Sequence, residues 1–247
     1  MSAAPDPFSH HPELREKIVD PQKSFFRDLD LEKLAKPFEA RGGASIDWWY
    51  PDADREADRA AVLADRRDAD LWVFGYGSLM WDPGIVFAEV RRAFVPDHAR
   101  RFILRDIHGA RGTREIPGLM AALDRGSGCE GLAFRIDREH VESETRRLWA
   151  RERIGPGYIA SFVDAELSDG RVPALTFVAD HDAELIAADL TRAEQVHCFA
   201  TGTGFLGTSL QYLENIASHF EALGIHDEDV EALLRETKAY MGTLPAA

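Results

Sequence analysis

Cysteine is scarce in this chain: Cys129 and Cys198 are the two among 247 residues, and both sit in apolar stretches. Two thiols do not make a disulfide framework, so the expectation is buried free thiols in a reducing, cytoplasmic setting. Basic charge is also short, with 29 Lys and Arg against 43 Asp and Glu, a net charge of −14. A nucleic-acid partner needs a basic stripe, and an anionic membrane surface needs basic clusters, so both are disfavoured. A small anionic ligand is not, because a local site can oppose the global field. No apolar run approaches the roughly 18 residues of a membrane span, and the N-terminus lacks a basic stretch followed by an apolar one. There is no H-E-x-x-H, no paired Cys spacing and no dense set of His, Asp and Glu, so neither a metal nor another cofactor is expected. The pair His10-His11 lies in the N-terminal region and is expected on the surface.

What is present is an ordinary globular composition, 45% hydrophobic and 29% charged, able to bury a sizeable core. The most informative stretch is Trp72-Val73-Phe74-Gly75-Tyr76-Gly77-Ser78-Leu79-Met80-Trp81. An apolar run that reads as a buried strand breaks at two glycines flanking a tyrosine and then offers a serine. Glycine allows the sharp turn and the close approach of a ligand to the backbone. Successive N–H groups in such a turn form an anion-binding nest. Other readings fail on spacing. Met80 stands where a dinucleotide fingerprint needs its third glycine, no Gly-Lys-Ser/Thr follows, and Ser78 is not in a G-x-S-x-G elbow. Ser78 therefore reads as a substrate hydrogen-bonding group rather than a nucleophile.

The β pattern begins at Leu71. Expected strands cover 71–75, 87–96, 100–107, 118–123, 130–136, 159–167 and 171–178, with Asp169-Gly170 centring a hairpin. One helix, 137–151, interrupts them. After Asp180 the pattern turns helical, over 182–189, 191–199, 208–223 and 227–240. This order predicts an α+β fold, a small mixed or closed β-barrel with surrounding helices. Residues 1–70 differ, being rich in Asp, Arg, Ala and Pro. They read as an N-terminal extension, with helical stretches at 12–19, 29–40 and 52–68, ahead of a main domain spanning 71–247. The cluster Trp48-Trp49-Tyr50 needs shelter, so the extension is expected to pack on the main body, the alternative being partial disorder or a place at an oligomer interface.

On a helical wheel Val141, Thr145, Leu148 and Glu152 share one face. Glu152 thus lies on the apolar stripe at the end of its helix, ahead of Gly155-Pro156-Gly157. Desolvation and the negative end of the helix dipole both raise a carboxyl pKa there, which suits a general base. A structural pairing with Arg147, Arg151 or Arg153 is the competing reading. The loop His108-Gly109-Ala110-Arg111-Gly112-Thr113 either faces a substrate or is a solvated turn. Tyr212 either reaches a polar partner or belongs to the core.

These segments carry a resemblance. The stretch from about Leu71 to Tyr240 resembles the ChaC-type γ-glutamylcyclotransferases, which act on glutathione. WVFGYGSLMW is similar to that family's V-F-G-Y-G-S-L-[IM]-W signature. Arg100-Arg101-Phe102, Arg111-Gly112-Thr113 with Pro117-Gly118, Gly128-Cys129-Glu130-Gly131-Leu132-Ala133-Phe134, Leu148-Trp149-Ala150-Arg151-Glu152 and Leu210-Gln211-Tyr212-Leu213 resemble further family segments in the family's order. The resemblance implies a small β-barrel with helices packed around it. It implies release of 5-oxoproline from glutathione, with Cys-Gly as the other product, and no cofactor. It implies Glu152 as the catalytic residue, a γ-glutamyl cradle of Tyr76, Gly77, Ser78 and Leu79, and Tyr212 lining the site; Arg111 joins the expected substrate-binding set. The chain departs from the family's pattern in three places. The turn after Glu152 is longer by a residue and carries Pro156, Ser209 replaces a frequent Asn, and the first 70 residues have no counterpart in the short members.

Overall fold

The computed structural model describes residues 5–30, 46–66 and 68–244. Its centre is a closed ring of five strands. β1 (Leu71–Gly75) pairs with β5 (Cys129–Ile136), β5 with β2 (Glu89–Val95), β2 with β6 (Tyr158–Leu167), β6 with β7 (Gly170–Ala179), and β7 returns to β1. The closing pair is parallel, through Trp72↔Ala174 and Val73↔Leu175. Further along, β7 leaves the ring and pairs with β4 (Thr113–Arg125) at Leu123↔Val178, and β4 carries β3 (His98–His108) at the sheet edge. The Asp169-Gly170 hairpin forms as expected, with Leu167 facing Gly170.

The unbroken apolar run of β1 follows from burial of both its faces. Phe74 joins the cluster that fills the barrel and reaches the C-terminal helices. Leu71 and Val73 point the other way, onto Val141, Leu148 and Trp149. Those three belong to α2 (Val141–Glu152), which follows a 3-10 turn at Arg138–His140 and so starts later than the expected 137. Among the described residues the other α-helices are α1 (Asp52–Val62), α3 (Arg192–Thr201), α4 (Ser209–Leu223) and α5 (Glu228–Met241). Thr191 and Thr208 close capping boxes at the starts of α3 and α4, and Asp227 caps α5.

Two helical expectations change. Residues 182–189 form turns that run along the open edge of β3, where the Arg105 N–H donates to the Leu185 carbonyl and the Ala187 N–H to the Ile103 carbonyl, each at 2.8 Å. Eight residues make a marginal helix, and the unpaired edge of β3 offers them hydrogen bonds instead. The segment 12–19 opens with a single 3-10 turn, Pro12–Leu14, rather than a helix. The expected helix at 29–40 lies for the most part outside the described residues.

Candidate active site

α2 delivers Glu152. Its wheel face is as the spacing predicts, with Val141, Thr145 and Leu148 at 2% exposure or less. The Glu152 side chain retains 12% exposure, and the helix ends at its Cα. Arg151 Nε lies 2.8 Å from Glu152 Oε1, yet that buried oxygen accepts no well-directed hydrogen bond among the described residues. Burial pushes the Glu152 carboxyl above its usual range, and the Arg151 charge offsets only part of that. Of the competing partners, Arg147 turns to Glu144 and the Arg27 carbonyl, and Arg153 to Asp58 and the Tyr158 carbonyl.

Arg151 ties this helix end to the glycine turn. Its Nη2 donates to Ser78 Oγ at 2.8 Å, its Nη1 donates to the Asp82 carbonyl, and its guanidinium covers the Phe26 ring at 3.9 Å. Ser78–Met80 form a single 3-10 turn in which the Met80 N–H returns to the Gly77 carbonyl at 2.9 Å. The amides that open such a turn have no acceptor within it.

A cavity of about 940 Å³ spans these groups, lined among others by Ser78, Arg111, Arg151, Glu152 and Tyr212. Tyr76, Gly77 and Leu79 stand behind that wall. Tyr76 donates its hydroxyl proton to the Phe177 carbonyl at 2.7 Å, and burial, reinforced by the Glu152 charge, holds its pKa well above the usual range. Gly77 backs directly onto Tyr212, and a Cβ there would strike the Tyr212 hydroxyl. Leu79 packs beside Leu71 and Ile85. Tyr212 and Tyr158 clasp the Ala121 peptide: Tyr212 accepts from its N–H at 3.2 Å, and Tyr158 donates to its carbonyl at 2.8 Å. Arg111 donates from Nη1 to the Thr208 carbonyl at 3.1 Å and, among the described residues, has no carboxylate within ion-pair distance. Burial lowers its pKa, though a guanidinium stays charged. Among the described residues no three His, Cys, Asp or Glu side chains gather as metal ligands.

A family model described as ChaC-like protein matches residues 71–240. The chain belongs to the ChaC-like family. It is 38% identical over 187 residues to the glutathione-specific gamma-glutamylcyclotransferase of Escherichia coli (strain K12), across 74% of this chain and 80% of that protein. It is 30% identical over 172 residues to the human glutathione-specific gamma-glutamylcyclotransferase 1, across 66% and 77%. The crystal structure of a yeast γ-glutamyl cyclotransferase specific to glutathione shares the fold, with a TM-score of 0.64 at 21% identity, covering 70% of this chain and 97% of the yeast chain.

The ChaC-like segments have local reasons in this chain. Gly112, Gly118 and Gly202 pack backbone to backbone with no room for a Cβ. Ser209 stands at that junction, fully buried, accepting from the Leu119 N–H at 3.0 Å and donating to the Arg111 carbonyl at 3.3 Å. A serine here binds β4 to the start of α4, so the departure from Asn leaves the junction satisfied. In the Arg-Arg-Phe segment, Arg100 Nε donates to the Tyr76 carbonyl at 2.6 Å and Nη1 pairs with Asp227 at 3.0 Å, anchoring the glycine turn from below. Sequence reasoning missed Arg151, whose signal was its place beside Glu152, and Tyr158, which lies just past the long turn.

Proposed function

We propose that this chain is a γ-glutamylcyclotransferase that releases 5-oxoproline and Cys-Gly from glutathione, with Glu152 as the general base and then the general acid. The observation that carries this is Glu152 itself: a buried carboxylate, one oxygen without a hydrogen bond, in the wall of a cavity that also holds Arg111 and Arg151. The α-amine of the γ-glutamyl unit attacks its own γ-carbonyl. A C–N bond closes the five-membered ring, and the old amide C–N bond breaks. Glu152 takes the proton from the attacking ammonium and delivers one to the leaving nitrogen, a contribution of about 10²–10⁴-fold. The cavity holds the chain folded so that amine and carbonyl meet, which lowers the barrier by up to roughly 7–11 kcal/mol. No water, metal or covalent enzyme intermediate takes part.

The same reading gives the neighbouring groups roles. Arg151, Ser78 and the first amides of the glycine turn hold the α-carboxylate, because that group lies two bonds from the amine and Arg151 already touches both Ser78 and Glu152. Arg111, a buried cation with no carboxylate in ion-pair contact among the described residues, takes a second anionic group of the substrate. Tyr212 lines the cradle and Tyr76 backs it. Residues 1–70 form an extension on a 71–247 catalytic domain. The two buried, unpaired thiols support a reducing, cytoplasmic setting. The test is mass analysis of products after incubation with glutathione, beside a panel of γ-glutamyl amino acids and amines. Equimolar 5-oxoproline and Cys-Gly is the expected result. Hydrolysis to glutamate, or no cleavage of glutathione, would refute it.

A further inference from the structure

One wall of the cavity comes from residues ahead of the matched 71–240 region, among them Phe26 and Trp48. Trp48 ends the 3-10 turn Ile46–Trp48 and lies flat on His108, ring centres 4.0 Å apart and planes 17° apart. The segment is pinned to the turn after Glu152. The Tyr50 N–H donates to the Ile154 carbonyl at 2.8 Å, and the Tyr50 ring carries the Arg153 guanidinium at 5.0 Å. Gly155 is the seat: a Cβ there would strike the Trp48 ring. Two of the three departures from the family pattern, the lengthened Gly-Pro-Gly turn and the extension, are therefore in contact with each other.

This wall carries unmet hydrogen-bonding capacity. Trp48 Nε1 and His108 Nδ1 are buried, and neither has a hydrogen-bond partner among the described residues. Both residues line the cavity. Burying such groups without partners is unfavourable, and a bound ligand with matching atoms relieves it. Trp48 rests on Gly155, three residues beyond Glu152 in the chain. A leaving group attached at the γ-carbonyl extends away from the base, and two residues of peptide reach roughly 7 Å.

We infer that Trp48 and His108 form the subsite for the departing half of the substrate, with the indole N–H donating to a carbonyl or carboxylate oxygen of a dipeptide leaving group and the imidazole Nδ1 making a second polar contact. The inference rests on the cyclotransferase reading above. It makes the extension a specificity element that selects peptide leaving groups over simple amines.

The experiment compares glutathione with γ-glutamyl methylamide, which has the same reacting half and almost no leaving half. With the full chain, kcat/KM for 5-oxoproline release is measured for wild type, Trp48→Phe and His108→Phe; each phenyl keeps a ring for the stack and loses the polar atom. The ratio of kcat/KM for glutathione to that for the methylamide should fall about five- to tenfold in each variant, the loss of one hydrogen bond. In parallel, calorimetric titration of Glu152→Gln, alone and combined with either ring variant, should show glutathione affinity weakening by a similar factor and methylamide affinity less. Equal losses for both ligands, or an unchanged ratio, would overturn the subsite. If Trp48→Phe fails to fold, His108→Phe decides. Absence of 5-oxoproline from wild-type digests would refute the chemistry alone, since the titrations still report on the leaving-half wall.

Discussion

Replacing Glu152 by Gln should lower activity and raise stability together. The activity loss follows from the chemistry. The substrate amine enters as an ammonium, and the amide isostere cannot take its proton. Asp82 and Asp106 also line the cavity, but Glu152 is the carboxylate assigned the proton transfer, so the loss should sit in kcat at about 10²–10⁴-fold, equivalent to about 3–5 kcal/mol of barrier. The stability gain follows from the electrostatics. Burial outweighs the pull of Arg151, so the folded carboxyl pKa is raised. The folded chain then binds that proton more tightly than the unfolded one, and ionisation opposes folding at every pH above the folded pKa. Gln carries no such penalty. Arg151 does not become an orphan, because Ser78, the Asp82 carbonyl and the Phe26 ring still hold it. The variant should therefore melt above wild type at pH 8, with the gap narrowing as pH falls through the raised pKa and vanishing below the ordinary carboxylate range. For a chain of this size each 1 kcal/mol moves the melting point by about 2–4 °C, which a calorimetric scan resolves. Turnover within tenfold of wild type would remove Glu152 as the base. A lowered melting point at pH 8 would show that the carboxylate serves a structural ion pair with Arg151.

Gly77→Ala should raise KM, because the new Cβ meets the Tyr212 hydroxyl, and adding Tyr212→Phe should recover part of the loss; no recovery in the steady-state double-mutant cycle would place the damage elsewhere. Ser209→Ala should cost about 1–3 kcal/mol in urea unfolding by stranding the buried Leu119 N–H, with an unchanged midpoint refuting the junction. For wild type, kcat/KM should fall on acidification through the raised Glu152 pKa, above the usual carboxylate range, and a pH profile flat down to the ordinary Glu range would contradict the burial argument.

The candidate site was legible because its signals are local. A period of 3.6 placed Glu152 on the stripe of Val141, Thr145 and Leu148, and two glycines marked the turn opposite. The barrel strands announced themselves by β-branched and aromatic runs bounded by Gly, Pro and Asp. What escaped depends on contacts between distant segments. Whether 182–189 becomes a helix is decided by the open edge of β3, which no window of eight residues contains. Arg151 was one of three arginines that could pair with Glu152, and only the fold brings it onto Ser78, 73 positions away. Trp48 signalled a need for shelter, but its place against Gly155 and His108 is a property of the closed structure.

The acidic excess and an anionic substrate are reconciled by distance and dielectric. At roughly 20 Å in water, one charge acts on another with only about 0.2 kcal/mol before screening, and physiological salt, with a screening length of about 8 Å, removes most of that. A guanidinium about 4 Å from a carboxylate in a partly buried site is attracted by about 4 kcal/mol. Arg111 at 8% exposure and the Arg151 side chain at 5% are such groups, in the wall of one cavity. One internal cation thus outweighs the summed repulsion of the net −14 surface. Ligand choice then belongs to the few charges the fold buries, while the many it exposes are left to govern solubility and encounter.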